Sequence, residues 1–499
     1  MSGPQPPSQA TRSRDRDRRR TRGVHIPDAA GVDVTVRWDG IVPRLEPVIR
    51  FIAGELLAGR PFEAAIAGAE RRHRALMQHF DTSSVEQFGL HRQHLFPRAD
   101  TTAEIRMWNR ATAELVSFDV GDDGWAELHG FLARCATGEA SAAALRRAHP
   151  ALADLVGAMV AGGMLVDAPP PPRVVADRPG VYRLQHASLL YRSRTTGVLV
   201  DPQLHASFRP SELAADLSRV QLESLVDAIV ISHAHNDHWN LATLMSFPRD
   251  LPVIVPAVPR GSIVCPDLAA QLRSFGFTRV IVRDWYDPPV AVGDLRIHVL
   301  PFYGEQPLRD EAPRDPALYS WGNTYAIETD DYTSWFLIDS GRDDRGDMVD
   351  VARRVRDRLG PIDLVLGNLS VFRPYSPLYI TGGGHYWLAL TADQIQRFAA
   401  MRDHALTLGS GGVARVCAAV EARHYLPYAN WWGPIGGRGA ISADAHADDP
   451  AADEASHLGV LRGDLDALGA ATAIVPWRIG DGFVADRGGG FEVQSLRLA

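Results

Sequence analysis

The segment from Asp227 to Asn240 reads DAIVISHAHNDHWN, an apolar, strand-like run that opens directly into His233, His235, Asp237 and His238. Imidazole nitrogens and carboxylate oxygens are ordinary ligands of zinc and iron. On a loop leaving a strand end, backbone alternation lets His233 and His235 turn to one cation while Asp237 and His238 turn to a neighbouring one. The H-x-H-x-D-H spacing therefore predicts a dinuclear metal site seeded by one short loop, and chemistry that depends on bound metal.

Composition removes the competing chemistries. The chain has 499 residues, and every one of its 52 Lys-or-Arg positions is Arg. Without a primary amine on any side chain, Schiff-base and pyridoxal-lysine catalysis, a Lys-bearing phosphate loop and a kinase-type Lys–Glu pair are excluded. A net charge of −8 argues against a general nucleic-acid binder, and no apolar run reaches the length of a membrane span. Cys135, Cys265 and Cys417 lie far apart in no metal or redox spacing, which speaks for a reducing cytoplasm and against a disulfide framework.

The elements that must carry the loop can be traced along the chain. Residues 1–24, with the basic stretch TRSRDRDRRRTR and no apolar segment after it, read as a disordered tail. Val32 to Trp38 reads as a strand among helical patterns at Leu45 to Leu57 and Phe62 to Met77. Asp122 to Asp167 suggests three short helices followed by a strand or hairpin, the outline of a winged-helix module. That segment is similar to the small peptide-binding modules fused to enzymes that modify ribosomal peptides; a helical dimerisation or lid domain is the other reading. The proline run APPPPR, Ala168 to Arg173, is a semi-rigid linker. We expect a mainly helical N-terminal domain over 25–172, with its winged-helix-like segment at 122–167, and a catalytic domain over 173–499.

Beyond the linker, short β-branched runs (Val181 to Tyr191, Gly197 to Asp201, Ala228 to Ser232, Val253 to Pro256, Val280 to Val282, Ile297 to Pro301, Ser334 to Asp339, Leu364 to Gly367) alternate with helical patterns such as Pro266 to Phe275 and Asp347 to Leu359. This is an α/β layout with buried strands.

The histidine loop, the opening hairpin QHASLLYRS followed by GVLVDP, a downstream acidic residue and a late histidine together resemble the metallo-β-lactamase superfamily, from about Asp177 to the C-terminus. The resemblance implies an αββα sandwich with the motif at one edge of the sheets. It makes Asp339, in WFLIDSGRDD, the carboxylate that bridges two metals, and His424, in EARHYLPYA, the last ligand; Asp343 and Asp344 would be solvated or act behind the ligands. One position departs from the superfamily's zinc hydrolases. Where they carry a histidine after the strand that precedes the bridging Asp, this chain reads HVLPFYGEQPLRDE, with Glu305 and Gln306 there and His298 inside the strand.

A glutamate ligand enriches the site in oxygen, which favours iron over zinc. With the motif and the extra N-terminal domain, that exchange resembles the diiron β-hydroxylases of nonribosomal peptide assembly of the chloramphenicol type. The resemblance implies iron held by His233, His235 and Glu305, a second iron held by Asp237, His238 and His424, and Asp339 between them. It further implies O2 as co-substrate, an electron-donor protein, and an amino-acid-derived substrate, small or tethered to a carrier protein.

Trp239, Tyr303, Tyr319 to Tyr325, Gly382 to Trp387 and Asn430 to Gly433 are expected to roof the site. His385, after three glycines, is a candidate for substrate contact or proton transfer, and Arg309, Arg342 and Arg373 flank ligand loops where they could meet an anion. Two other functions stay open: a zinc-dependent hydrolase of an ester, lactone or phosphodiester, to which Gln306 as a poor ligand would point, and an N-terminal module that recruits a peptide or carrier partner.

Overall fold

The β-branched runs do form strands, and they assemble into two mixed sheets. The computed structural model describes residues 23–25, 30–37, 42–96, 102–109, 112–120, 124–137, 141–168, 173–185, 187–204, 222, 224–235, 237–306, 309–369, 371, 385–400, 405–429, 454–486 and 488–498. Residues 1–22 of the expected tail, most of the proline run, Arg373, the three glycines before His385 and the NWWG stretch lie outside the described residues.

The first sheet runs in the order Val280–Arg283, Val253–Pro256, Ala228–Val230, Gly197–Val200, Leu189–Arg192, Gly180–Arg183, Asp481–Ala485, Phe491–Ser495. Its first four strands are parallel and the rest antiparallel. The second runs Val290–Val292, Leu295–Pro301, Asn323–Glu328, Thr333–Phe336, Leu364–Gly367, His424–Pro427, Ala473–Ile474, and its last four strands are parallel. Alternation along each strand sends one set of side chains inward. Val181, Leu189, Val198, Val230 and Ile254 from one sheet meet Ile297, Val299, Tyr325, Phe336 and Leu366 from the other in a single buried cluster.

The opposite faces take the helices. Ile229, Val253 and Val255 pack with Leu268 and Leu272 of helix Leu268–Ser274 and with Leu128, Phe131 and Leu132 of helix Trp125–Thr137. Trp335, Val365 and Tyr425 pack with Val351 and Val355 of helix Met348–Leu359 and with Val413 and Val416 of helix Gly409–Ala419. Helix, sheet, sheet, helix is the αββα sandwich that the resemblance implies.

The N-terminal region contains the expected helices, among them Val42–Leu57 and Phe62–Arg72, and the helices Trp125–Thr137, Ala142–Ala148 and Ala153–Ala161 follow in the expected order. It also holds a three-stranded antiparallel sheet, Ala30–Arg37, Thr102–Asn109 and Leu115–Val120, of which sequence periodicity revealed only the first strand. The other two bury little beyond Ile105, Met107 and Val120, so their apolar signal is short. The strand after the third helix, Val166–Ala168, pairs with Gly23–His25 from the far end of the region instead of folding into a local hairpin. Among the described residues no helix is long and apolar enough to cross a membrane, and Cys135, Cys265 and Cys417 are buried and unbridged.

Beside the histidine loop the two sheets come into backbone contact. His233 forms an isolated antiparallel bridge with Gly322, and Asn323 N donates to Ser232 O at 2.9 Å. A Cβ on Gly322 would stand 2.9 Å from the Cβ of His233 and 3.0 Å from the Phe302 ring. Replacing Gly322 with Ala is expected to cost about 1–3 kcal/mol by overpacking, read by chemical denaturation, and to displace His233 at the same time.

Candidate metal centre

The histidine loop leaves the carboxyl end of strand Ala228–Val230, and Asp339 follows the carboxyl end of Thr333–Phe336. Carboxyl ends of parallel strands are where open α/β sheets gather functional groups, and here two sheets deliver them to one place. His238 N donates to His235 O at 2.9 Å, folding the loop into a turn. Asn240 ends it by accepting from Thr243 N as the cap of helix Leu241–Leu244. The chain thus passes from strand to ligands to helix within a few residues.

Among the described residues, two groups of side chains have ligand atoms close enough to share a cation: His233, His235 and Glu305, and His233, His238 and Asp339. Glu305 Oε2 lies 3.2 Å from His233 Nε2 and 2.9 Å from His235 Nδ1. His238 Nε2 lies 3.0 Å from Asp339 Oδ2 and 3.7 Å from Asp237 Oδ2. His233 and His238 are fully buried and Glu305 and Asp339 nearly so, while His235 keeps part of its ring exposed and marks the open side. His233 is common to both groups, so they adjoin.

Gln306 is not among them. Its amide donates to Gly304 O and Ser320 O, both at 3.0 Å, and accepts from Ser320 N. Its polar atoms are spent on holding the turn that carries Glu305. That turn is costly: Gly304 has φ 90° and Glu305 φ 49°, and left-handed backbone at a residue with a Cβ costs about 1–2 kcal/mol. Asp201 (φ 41°) and Ile338 (φ 57°), which precedes Asp339, share the same conformation. Such strain persists where surrounding packing over-determines it, and it gathers at functional sites.

His424 is not brought to the centre. It opens strand His424–Pro427 and pairs in register with Leu364, whereas the neighbouring strand reaches the centre only beyond its other end, at Asn368. Its Nδ1 faces Asp363 O at 3.3 Å and its ring packs against Phe483 and Phe491. The expectation that it is the last ligand is corrected by strand direction. His385 opens helix His385–Ala389; its side chain lies outside the described residues. Trp239 is core packing beside Leu241 and Leu244. Arg309, half-buried, and Arg342, exposed, both bond to Asp310, and His298 pairs with Glu328 inside its strand.

Sequence reasoning missed two residues. Asp201, at the end of GVLVD, accepts from His238 Nδ1 at 2.8 Å, from Ser232 N at 2.7 Å and from Ser232 Oγ at 2.5 Å. It fixes the His238 ring so that Nε2 faces Asp339, the usual work of a carboxylate behind a metal-binding imidazole. Asn368, at the end of LVLGN, donates from Nδ2 to Asp339 Oδ1 at 2.6 Å and orients that carboxylate. Like Asp339, each is a polar residue ending a buried apolar run, a signal that could have found them.

The donor set fits cations. His233 Nε2 and Glu305 Oε2 are buried and face one another without a well-formed hydrogen bond, an arrangement a shared metal would satisfy. Four carboxylates, Asp201, Asp237, Glu305 and Asp339, crowd three imidazoles. Burial opposes a charge on His238, but Asp237, Asp201 and Asp339 outweigh it and raise its pKa well above the usual value. Burial likewise opposes a charge on His235, and Glu305 and Asp237 raise it. Burial, then His238 and His235, push His233 well below. Protons held on His238 and His235 must leave when a cation arrives. Metal uptake by chelator-treated protein is therefore expected to release protons, and affinity to rise with pH, in a pH-stat titration. Glu305→Ala is expected to lower metal stoichiometry from two to one, and His424→Ala to leave it at two.

Residues 196–428 match the family model described as β-lactamase superfamily domain. Over 121 residues the chain is 34% identical to the 4-amino-L-phenylalanyl-[CmlP-peptidyl-carrier-protein] 3-hydroxylase of Streptomyces venezuelae, a match that takes in 24% of this chain and 23% of that protein's length. Among solved structures, the crystal structure of CmlA, a diiron β-hydroxylase from Streptomyces venezuelae, superposes with a TM-score of 0.58 at 17% identity, covering 91% of this chain and 98% of that one. A variant of the CmlA β-hydroxylase gives 0.56 at 16% identity with the same coverage. At these identities the likeness is one of fold, and it extends beyond the sandwich into the N-terminal region.

Proposed function

Residues 196–428 match a β-lactamase superfamily domain, and on that premise we propose that the chain is a diiron oxygenase that hydroxylates an amino-acid-derived substrate presented on a carrier protein. The observation that carries the reading is the first ligand group. His233, His235 and Glu305 form a two-imidazole, one-carboxylate set, the kind that suits non-haem iron in oxygen chemistry, where a third imidazole would suit zinc. The stretch of identity to a carrier-protein-dependent hydroxylase supports the same substrate class.

Iron held here would supply one-electron and O2 chemistry that no side chain of the protein can perform. The protein's own share is placement. We assign His233, His235 and Glu305 to one iron and Asp237 and His238 to the other, with Asp339 between. Asp201 locks the His238 ring, and Asn368 fixes which way Asp339 presents its oxygens. Phe302, fully buried, stacks on His233 with ring centroids 5.0 Å apart and keeps water from the inner side of the cluster. The exposed edge of His235 leaves the approach for substrate. His385, at the head of its helix, is the residue we assign to substrate contact.

Metal analysis of protein purified without added metal, with its optical spectrum, tests the proposal. Two irons per chain with an oxo-bridged charge-transfer band are expected, and an aminoacyl-loaded carrier protein should gain the mass of one oxygen atom in the presence of O2 and reductant. Two zincs, a featureless spectrum and an unchanged carrier would sink it in favour of hydrolysis.

A further inference from the structure

We propose that Asp343 and Arg345 are positioning residues for Glu305, setting where its carboxylate stands and so how tightly the first metal is held. The inference rests on the reading of Glu305 as a ligand and adds a cause for its placement.

The contacts form one chain. Asp343, almost fully buried, accepts from Gly304 N at 3.1 Å, the residue immediately before Glu305. Arg345 grips the same carboxylate three times: its backbone N at 2.8 Å and its Nε at 3.3 Å on Oδ1, and its Nη2 at 2.6 Å on Oδ2. The guanidinium in turn is boxed by aromatic rings, 4.0 Å from the centroid of Tyr319, 5.0 Å from Trp321, 5.1 Å from Trp285 and 6.0 Å from Tyr303. Tyr319 is pinned by its hydroxyl donating to Asp344 at 2.6 Å, and Trp285 by its indole N donating to Gly322 O at 2.8 Å, beside His233. Neither member of the pair can shift without disturbing the box.

The turn they hold needs holding. Gly304 and Glu305 are both left-handed, and a Cβ at Gly304 would come within 2.6 Å of Gly341 N and of Leu406 O. Glu305 N is tied to Leu406 O at 3.0 Å and Gln306 grips Gly304 O, and Asp343 secures the Gly304 amide. A buried ion pair adds little net stability compared with apolar residues of the same volume. Its consequence is then to be sought in geometry: the Asp343–Arg345 pair fixes the peptide from which a metal ligand hangs, as groups behind a ligand commonly do.

The test is titration of Zn(II), chosen because it is redox-inert, into chelator-treated full-length protein, following stoichiometry and affinity by calorimetry and folding by thermal denaturation of the metal-free form. Wild type should take two ions, and Glu305→Ala, by losing one, identifies the first site. The double variant Asp343→Leu/Arg345→Met is expected to fold with little change in thermal midpoint, to weaken the first site about 10–100-fold, and to leave the second within about twofold. Asp343→Asn, whose amide oxygen can still accept from Gly304, should recover much of the affinity, which a merely structural role would not reproduce; should the double variant fail to fold, Asp343→Asn with Asp343→Ala gives the same comparison. Wild-type affinity at both sites, or equal weakening of both, would overturn the inference. Two ions retained by Glu305→Ala would instead overturn the ligand reading beneath it.

Discussion

Four carboxylates and three imidazoles are drawn together where the carboxyl ends of two sheets meet, in a place largely closed to water. Charges in such a place must be paired or neutralised, because desolvation of an unpaired carboxylate costs several kcal/mol at the least, an order-of-magnitude figure. Protons on His235 and His238 serve in the metal-free protein, and cations serve better. Much else in the architecture follows from this constraint. Asp201 and Asn368 stand behind the cluster to aim its members, and the contact at Gly322 lets one sheet come near enough to the other for Glu305 and Asp339 to reach the histidine loop.

Aiming side chains inward from strand ends demands sharp changes of backbone direction, and these are bought with left-handed residues. Asp201, Glu305 and Ile338 all sit just after strands at the same edge. The sandwich core supplies what holds them. Val198, Val200, Val230, Ile297, Val299 and Phe336 are within a few per cent of complete burial, and a close-packed interior of that kind has no soft mode through which the turns could relax. Rigidity at the site is inherited from packing some residues away.

The N-terminal region belongs to this scheme through packing. Helices Val42–Leu57 and Phe62–Arg72 share an apolar cluster with Leu318, Trp387, Leu388 and Ile395, so they brace the helix that begins at His385 and the segment leading toward Trp321. Helix Trp125–Thr137 backs the sheet that carries the histidine loop. Both contacts bear on the centre from behind, through elements that position it.

The strands and the histidine loop were legible in the sequence because each depends on short-range pattern, β-branched apolar runs of strand length and ligand side chains spaced within one loop; the αββα layering followed only from the resemblance that the loop carries. Glu305 was named through the resemblance, with Gln306 beside it as a poor ligand at most, and the turn shows why: it puts one side chain into the cluster and the other onto backbone groups. Asp201, Asn368 and the Asp343–Arg345 pair act on residues 37, 29 and about 40 positions away in sequence; a polar residue at the end of an apolar run is visible locally, but which partner it meets is not. His424 failed for a related reason. Sequence places a histidine at a strand, but only the direction of that strand within the sheet decides whether its first residue or the one beyond its last faces the metals, and direction is settled by pairing between strands distant along the chain.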